Sequence, residues 1–242
     1  MKKFTAMLLI VVLALSVLAS CGGVDHSKKS EGVMTYEEYT KAEIGDEVVI
    51  EAYVQATQSW WFDSKANHGK ITAYLADLDG GYFGYEMKCT EEEAAKLVKG
   101  AKIKLTGYKA EWNGEIEIID GTFEVLDFEH LVMSAEDVTA ILANEEELIK
   151  RQNKLVAIKG ATVKSAAIYN WDGTGSEGSD LYITVTVDDA DYTLVVESYL
   201  HGKDSQIYKD VKALKAGDKV DFEAFLYWYN GAQPHINSVA KK

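Results

Sequence analysis

The sequence predicts a mainly β protein with short helices, built as two tandem copies of one unit. Residues 100–114 and 217–231 align without a gap. Each copy begins with a glycine suited to ending a helix, continues with apolar or small residues at every second position, and reaches an Asn-Gly pair. Alternation with period two indicates a half-buried strand, and Asn-Gly is the strongest short signal for a tight hairpin. We therefore expect a duplicated β-domain.

The segments that lead into the two units also match. Residues 33–40 correspond to residues 132–139. Thr35 and Ser134 occupy matched positions, each with an acidic residue three places later, which is the pattern of a capped helix start. The increasing offset between the copies places insertions in the second unit, including a longer helix around residues 141–152. Matches at separate places along the chain predict two units of one architecture.

Both units contain the same elements in the same order. A leading helix is followed by a long strand, a loop and a hairpin, which spans residues 70–88 in the first unit and 181–200 in the second. The next helix begins at Thr90 in the first unit and near Ser205 in the second. The glycine-led strand, its hairpin and a last strand complete each unit.

Three strands, a helix and two further strands resemble the OB-fold, a small Greek-key barrel closed by a helix between its third and fourth strands. The most specific segment combines Leu214, Gly217, Asp218 and Val220 with a strand ending at Tyr229 and Gly231. The first unit departs from this pattern at Ala101. The whole chain resembles the tandem OB-fold lipoproteins of Gram-positive bacteria, and this resemblance implies fold and location but no activity. We expect two tandem OB-like five-stranded Greek-key barrels.

Residues 1–20 have the composition of a lipoprotein signal peptide. A basic start precedes an apolar run, and the segment from Leu18 to Cys21 resembles the lipobox of bacterial lipoproteins, in which the cysteine carries the lipid. A plain signal peptide that happens to precede a cysteine is the alternative. A membrane-spanning helix is disfavoured because the apolar run is shorter than the ~20 residues that a bilayer requires.

The predicted mature chain divides into three parts. Residues 21–32 are polar and predict a flexible tether. Barrel one is expected over residues 33–128, and barrel two, with its leading helix, over residues 129–242. The lipid on Cys21 would anchor the protein to the cell membrane, on the extracytoplasmic side.

The charge balance argues against a nucleic-acid partner. The net charge is −14, and removal of Lys2 and Lys3 with the signal peptide makes it −16. Negative charge repels phosphate, and Arg151 is the only arginine of the sequence, although arginine is the usual ligand for phosphate. Beyond Cys21 only Cys89 remains, so an internal disulfide is excluded.

Aromatic residues collect at the loops that, by the OB-fold resemblance, border the ligand-binding face. The candidate ligand-binding residues are Trp60, Trp61, Trp112, Tyr169, Trp171 and Tyr229. Such rings stack on sugars, bases or peptide side chains, and the acidic composition favours a carbohydrate, a cell-wall fragment or a peptide. The alternative is that outward-facing rings, including Phe225 and Tyr227, bury one another where the barrels meet. Trp228, with the opposite parity, is expected in the core.

The sequence offers little support for a metal site. In the loop 169–180, Asp172 and Asp180 are weak candidates for calcium ligands, but the alternation of oxygen-bearing residues breaks at Gly178, so a flexible glycine-rich loop without metal is preferred. The histidines show no ligand spacing. We expect no cofactor.

The sequence contains no catalytic motif, and the protein is not expected to be an enzyme. The sequence therefore predicts a lipid-anchored extracytoplasmic binding module for a carbohydrate or peptide. The alternatives are a structural or protein–protein interaction scaffold at the cell envelope, and a module that binds single-stranded nucleic acid, as other OB-folds do.

Overall fold

The computed structural model describes residues 24–242. The predicted signal peptide and Cys21 lie outside the described residues. Within residues 24–242, no helix is long and apolar enough to cross a membrane.

The first unit contains two helices and six strands. They are α1 (Tyr36–Lys41), β1 (Glu47–Thr57), β2 (Trp61–Asp63), β3 (His68–Ala76), β4 (Gly81–Lys88), α2 (Glu91–Ala94), β5 (Lys102–Trp112) and β6 (Glu115–Val125). The second unit contains seven strands, two α-helices and two short 3₁₀ helices at Thr139–Ile141 and Ile149–Arg151. They are β7 (Glu136–Asp137), α3 (Glu145–Leu148), β8 (Leu155–Val163), β9 (Ile168–Tyr169), β10 (Leu181–Val187), β11 (Ala190–Val196), α4 (Gln206–Ala213), β12 (Lys219–Phe225) and β13 (His235–Lys241).

Each unit is a five-stranded Greek-key barrel of the OB type. In the first, the order β1-β5-β6-β4-β3 closes through pairing of β1 with β3, and in the second the order β8-β12-β13-β11-β10 closes through β8 and β10. The third and fifth barrel strands run parallel in both units, as β4 with β6 and β11 with β13. The predicted fold class is confirmed.

The duplicated segments occupy equivalent places in two separate sheets. β5 lies between β1 and β6, and β12 lies between β8 and β13. Each barrel has its own apolar core, in which Ile50, Leu75 and Leu105 represent the first and Ile158, Val185 and Phe222 the second. Trp228 belongs to the second core, as its parity predicts.

The leading helix is present in the first unit alone. Thr35 caps α1 and forms a reciprocal capping box with Glu38. The matched Ser134 precedes the short strand β7, which pairs with β8, so the predicted second leading helix is wrong. The longer helix expected around residues 141–152 is divided into α3 and a 3₁₀ turn. Pairing with a sheet edge here overrides a local helix signal.

The described part of the predicted tether lies on barrel one. His26 Nδ1 is 2.9 Å from the Tyr53 hydroxyl, and Lys29 Nζ forms an ion pair with Asp77 at 2.6 Å. These contacts differ from the flexible tether that the polar composition predicts. A segment with little to bury is held by polar and aromatic contacts instead.

Candidate functional site

The two barrels share a small aromatic core of their own. Tyr74 of β3 stacks on Phe225 of β12 with ring centroids 4.3 Å apart and planes 7° apart. Phe83 and Leu155 are buried beside them. The Tyr74 hydroxyl lies 2.9 Å from Nδ1 of His235. Phe225 is thus buried at the interface, as the alternative interpretation of the outward-facing rings proposed, whereas Trp112 and Tyr229 are exposed. These contacts fix one barrel against the other.

Hydrogen bonds from backbone and side-chain groups tie the two Asn-Gly segments together across the same interface. The amide of Asn230 donates to the carbonyl of Asn113 at 2.7 Å. The Trp228 amide donates to Glu115 Oε2 at 2.7 Å, and Gln152 Nε2 donates to the Gly114 carbonyl at 2.8 Å. The repeated hairpin segments therefore meet each other, and the rings beside them are brought together.

A groove of about 620 Å³ opens beside this interface and receives residues from both barrels. Its lining comprises Gln58, Phe83, Tyr85, Trp112, Trp171, Asp180, Tyr182, Val195, Glu197, Tyr227, Tyr229, Gln233 and His235. A concave, largely aromatic surface with a few polar groups has the usual character of a small-molecule site.

The rings at the rim of the groove are open to solvent. Trp112 is 60% exposed and Trp171 is 77% exposed, and Tyr85 and Tyr229 are also exposed. Large aromatic side chains at the surface, grouped in one concavity, are characteristic of binding sites rather than of packing. The rim therefore offers unoccupied ring faces.

The floor of the groove is formed by stacked, uncharged rings on its His235 side. Tyr227 stacks on the His235 ring at 4.4 Å, with planes 21° apart. Burial lowers the pKa of His235 to about 3, so the imidazole is uncharged at neutral pH. Burial also raises the pKa of Tyr227 far above its usual value.

Two carboxyl groups give the groove its charge. Glu197 is 8% exposed, and its Oε2 accepts a hydrogen bond from Gln58 Nε2 of barrel one at 3.0 Å. Burial, followed by the nearby negative charge of Asp180, raises the pKa of Glu197 to about 7. Asp180 Oδ1 accepts from the amide of Ser198 at 2.8 Å. Neutral and ionised forms of Glu197 therefore coexist near pH 7.

No cationic side chain balances these carboxyl groups within the described part of the chain. The residues that line the groove include neither lysine nor arginine, and Glu197 and Asp180 take part in no ion pair between described residues. A buried carboxylate without a positive partner is unfavourable, which is why its pKa rises. The groove is thus aromatic and electronegative.

Three of the six predicted ligand-binding residues line the groove, and the other three lie elsewhere. Trp112, Trp171 and Tyr229 line the groove together. Trp60 instead covers Gly69, and its Nε1 donates to the Cys89 carbonyl at 3.3 Å. Its ring is partly buried against the core of barrel one and lines a separate cavity there, so it is not part of the groove.

The two remaining candidates also lie outside the groove. Trp61 is exposed on β2, where the Lys70 ammonium lies 5.2 Å from its ring centroid. Tyr169 packs against the core of barrel two, with the Lys212 ammonium 5.7 Å from its ring. Each of these rings has a lysine ammonium group from its own barrel beside it.

The two weak candidates for calcium ligands accept hydrogen bonds from other residues of the protein. Asp172 Oδ1 accepts from the amide and the hydroxyl of Thr174, and Asp180 faces Ser198. Over residues 24–242, no group of three or more histidine, cysteine, aspartate or glutamate side chains is arranged to hold a metal ion.

The sequence reasoning missed most of the polar groups of the groove, and two tyrosines. Tyr85 lies on β4 and Tyr182 on β10, which are the third and second strands of their barrels and belong to the usual ligand face of the fold. Burial alternates strictly along β10, with Tyr182 at an outward position. That outward parity was a signal that could have identified Tyr182 from the sequence.

Comparisons with known proteins identify no family for this chain. No protein-family model matches the chain, and a search of curated proteins finds no match. The p204 HINb domain is a similar solved structure, with 12% identity, a TM-score of 0.37, and coverage of 83% of this chain and 100% of that one. A murine DNA-binding protein bound with double-stranded DNA has 13% identity, a TM-score of 0.37, and coverage of 80% and 96%. At these identities the likeness extends to the fold alone.

The descriptions of these neighbours contradict one of our predictions. Three similar structures are described with double-stranded DNA, whereas the sequence led us to a carbohydrate or peptide ligand and to the exclusion of nucleic acid. That prediction is wrong. It used the net charge of the whole chain as a criterion, although net charge does not determine the ligand of one groove.

Proposed function

We propose that the groove between the two barrels binds an organic cation, and that the protein is a binding module rather than an enzyme. The observation that carries the proposal is the combination of exposed rings with two carboxyl groups in a groove whose described lining has no lysine or arginine. Aromatic faces and a carboxylate together are the usual means of recognising quaternary ammonium groups.

The rings supply the first part of the affinity. A cation within about 6 Å of an aromatic centroid is attracted by the negative face of the ring, by about 0.5–2 kcal/mol depending on desolvation. Trp112, Trp171 and Tyr229 present such faces from both barrels. A ligand that contacts several of them would bridge the barrels.

The carboxyl groups supply the second part of the affinity and favour a cationic ligand over a neutral ligand of the same shape. A bound cation would provide the opposite charge that Glu197 and Asp180 lack. Since the cation favours the ionised form of Glu197, whose pKa is about 7, binding releases a proton below neutral pH. We expect the affinity to weaken by up to about tenfold for each pH unit below 7.

Single-stranded nucleic acid is the second candidate. The observation that favours it is the set of exposed rings, because bases of any sequence stack on aromatic side chains. The carboxyl groups oppose it, because phosphate would have to lie outside the groove or face Glu197 and Asp180. DNA is also the ligand in the descriptions of the structural neighbours, whose likeness to this chain is confined to the fold.

A titration of the protein by calorimetry and tryptophan fluorescence distinguishes the candidates. Choline is compared with 3,3-dimethyl-1-butanol, which has the same shape without the charge, and with oligothymidylate. We expect choline to bind at least about tenfold more tightly than its neutral isostere. Glu197→Gln and Trp112→Ala should each weaken binding, whereas Trp61→Ala, an exposed tryptophan outside the groove, should not.

Three outcomes decide between the proposals. Equal affinity for choline and its isostere would overturn the cation proposal. Salt-sensitive binding of oligothymidylate that Trp112→Ala abolishes would establish the second candidate instead. Absence of binding to every probe, together with quenching of Trp112 by iodide as expected from its exposure, would remove both.

We also propose that a lipid on Cys21 anchors the protein to the membrane, on the extracytoplasmic side, as in the tandem OB-fold lipoproteins that the sequence resembles. The support is the lipobox-like segment that ends at Cys21. Labelling with radioactive palmitate should mark the mature protein, and Cys21→Ser should abolish the label and release the protein from membranes. A labelled Cys21→Ser variant would contradict the anchor.

A further inference from the structure

An ion pair between Lys29 and Asp77 holds the segment before α1 to barrel one. Lys29 Nζ lies 2.6 Å from Asp77 Oδ2, and the two side chains are 15% and 6% exposed. Asp77 is itself fixed, because it accepts hydrogen bonds from the Tyr82 hydroxyl at 2.7 Å and from the amides of Asp79 and Gly80. The ammonium group of Lys29 therefore meets a preorganised carboxylate.

Further contacts fix the same segment at several points. The His26 ring meets Phe128 edge-on, with centroids 5.7 Å apart, in addition to its contact with Tyr53. Lys102 Nζ donates to the Lys28 carbonyl at 2.8 Å and pairs with buried Glu51 at 2.9 Å. Because the attachments extend from residue 26 to residue 29, the direction of this segment on the barrel is fixed as well as its position.

These contacts lie at one pole of barrel one. Leu78 belongs to the turn between β3 and β4 and lies beside residues 26–29 and Asp77. Leu78 is 54% exposed, and Val24, the first described residue, is exposed as well. The pole therefore presents two apolar side chains to its surroundings.

We propose that residues 24–32 form a strap that holds this pole of barrel one against the lipid bilayer. His26 lies five positions after Cys21, and an extended chain spans at most about 3.3–3.6 Å per position, or about 17 Å in all. A lipid on Cys21 thus keeps the Leu78 pole within about that distance of the membrane interface. This inference rests on the anchor proposed at Cys21 and is independent of the ligand of the groove.

The two ends of β3 provide a matched test. Leu78 follows β3 at the strap, whereas Ser64 lies in the turn before it, so the length of the strand, about 30 Å, separates them. A fluorophore is attached at Leu78→Cys or at Ser64→Cys in the lipid-bearing protein; Cys89 is buried and does not compete. The proteins are placed in phosphatidylglycerol–phosphatidylethanolamine vesicles whose headgroups carry a nitroxide quencher.

We expect the label at position 78 to be quenched severalfold more than the label at position 64. Lys29→Ala combined with His26→Ala should release the strap and make the two labels equal, while Lys28→Ala, which changes an exposed side chain of the same segment, should keep the difference. Equal quenching in the unaltered, vesicle-bound protein would overturn the strap. A protein that fails to bind the vesicles would overturn the anchor itself, and with it this inference, without touching the proposal for the groove.

Discussion

The two Asn-Gly segments carry the same sequence signal and form different structures. In barrel one, β5 continues to Trp112, and Asn113 and Gly114 make a tight turn with φ of 50° and 90° into β6. In barrel two, β12 ends at Phe225, and an irregular loop precedes β13. Asn230 keeps a positive φ of 52°, so the local turn preference persists, although the strand pairing is reduced to one isolated bridge between Trp228 and Ala232.

The difference arises two positions before the asparagine. Barrel one has the exposed Glu111 there, whereas barrel two has Trp228, which is buried in its core. Burying 150–250 Å² of aromatic surface is worth about 4–6 kcal/mol at ~25 cal/mol per Å², whereas a ladder hydrogen bond contributes about 1 kcal/mol. The Trp228 amide recovers a partner in Glu115 of the other barrel. One apolar residue beside a turn can therefore end β12 early, whereas the equivalent strand β5 continues to the turn.

The largest effect should come from removing that residue. Trp228→Ala should lower the free energy of unfolding by about 3–5 kcal/mol because it empties part of a core. Trp112→Ala, at the exposed counterpart of Tyr229, should change it by no more than about 0.5 kcal/mol. Urea unfolding followed by circular dichroism measures both, and similar losses would show that the two segments do not differ in this way.

The glycines of the two turns should also differ. Gly114 has a φ of 90°, and an added Cβ would lie 2.7 Å from Trp228 Cδ1, whereas Gly231 has a φ of 139° and open space around it. Gly114→Ala should cost about 2–4 kcal/mol through backbone strain and overpacking together. Gly231→Ala should cost about 1–2 kcal/mol through backbone strain alone. The difference between their urea midpoints tests this ranking.

Glu115 makes the stability of the first segment depend on pH. Its counterpart in barrel two is Ala232, which does not ionise. Burial raises the pKa of Glu115 well above 4.5, and burial likewise raises the pKa of Glu117 to about 7. A carboxyl whose pKa is higher in the folded state contributes stability that is present below its unfolded pKa and is lost as pH rises through its folded pKa. The free energy of unfolding should therefore fall between about pH 4.5 and pH 7.

Glu115→Gln should flatten this decline. The amide keeps an acceptor for the Trp228 N–H but cannot ionise. Thermal unfolding at several pH values provides the measurement. An unchanged slope would mean that Glu115 does not carry the pH dependence.

The smallest effect concerns the two matched helix caps. Thr35 closes a capping box on α1, so Thr35→Ala should cost about 1 kcal/mol. Ser134 caps no helix, and Ser134→Ala should be nearly neutral. Equal losses in chemical unfolding would indicate a capping role at Ser134 that its position before β7 does not explain.

The fold could be predicted from the sequence because its signals are local and repeated. Alternation along β5 and β12, the Asn-Gly pairs and the Thr90 capping box each specify one element, and the duplication fixes their order. Errors occurred where tertiary pairing decided the structure. Ser134 is followed by a strand because the edge of β8 is available to residues 136–137.

The groove was predictable only in part. Trp112, Trp171 and Tyr229 were identified because loops and turn positions can be read from the sequence. Glu197 could not be singled out, because its distinctive property is burial next to Asp180 in a surface that two barrels complete. That property depends on how the barrels meet, and no periodicity encodes it.

The stacked pair of Tyr74 and Phe225 has a consequence for the evolution of the chain. Each barrel carries an aromatic face at the interface that the other barrel covers. A truncated product that carried one copy would present this face to water and would tend to self-associate. Each barrel therefore depends on the other to cover its aromatic face, and a single-copy protein would not result from simple loss of either half.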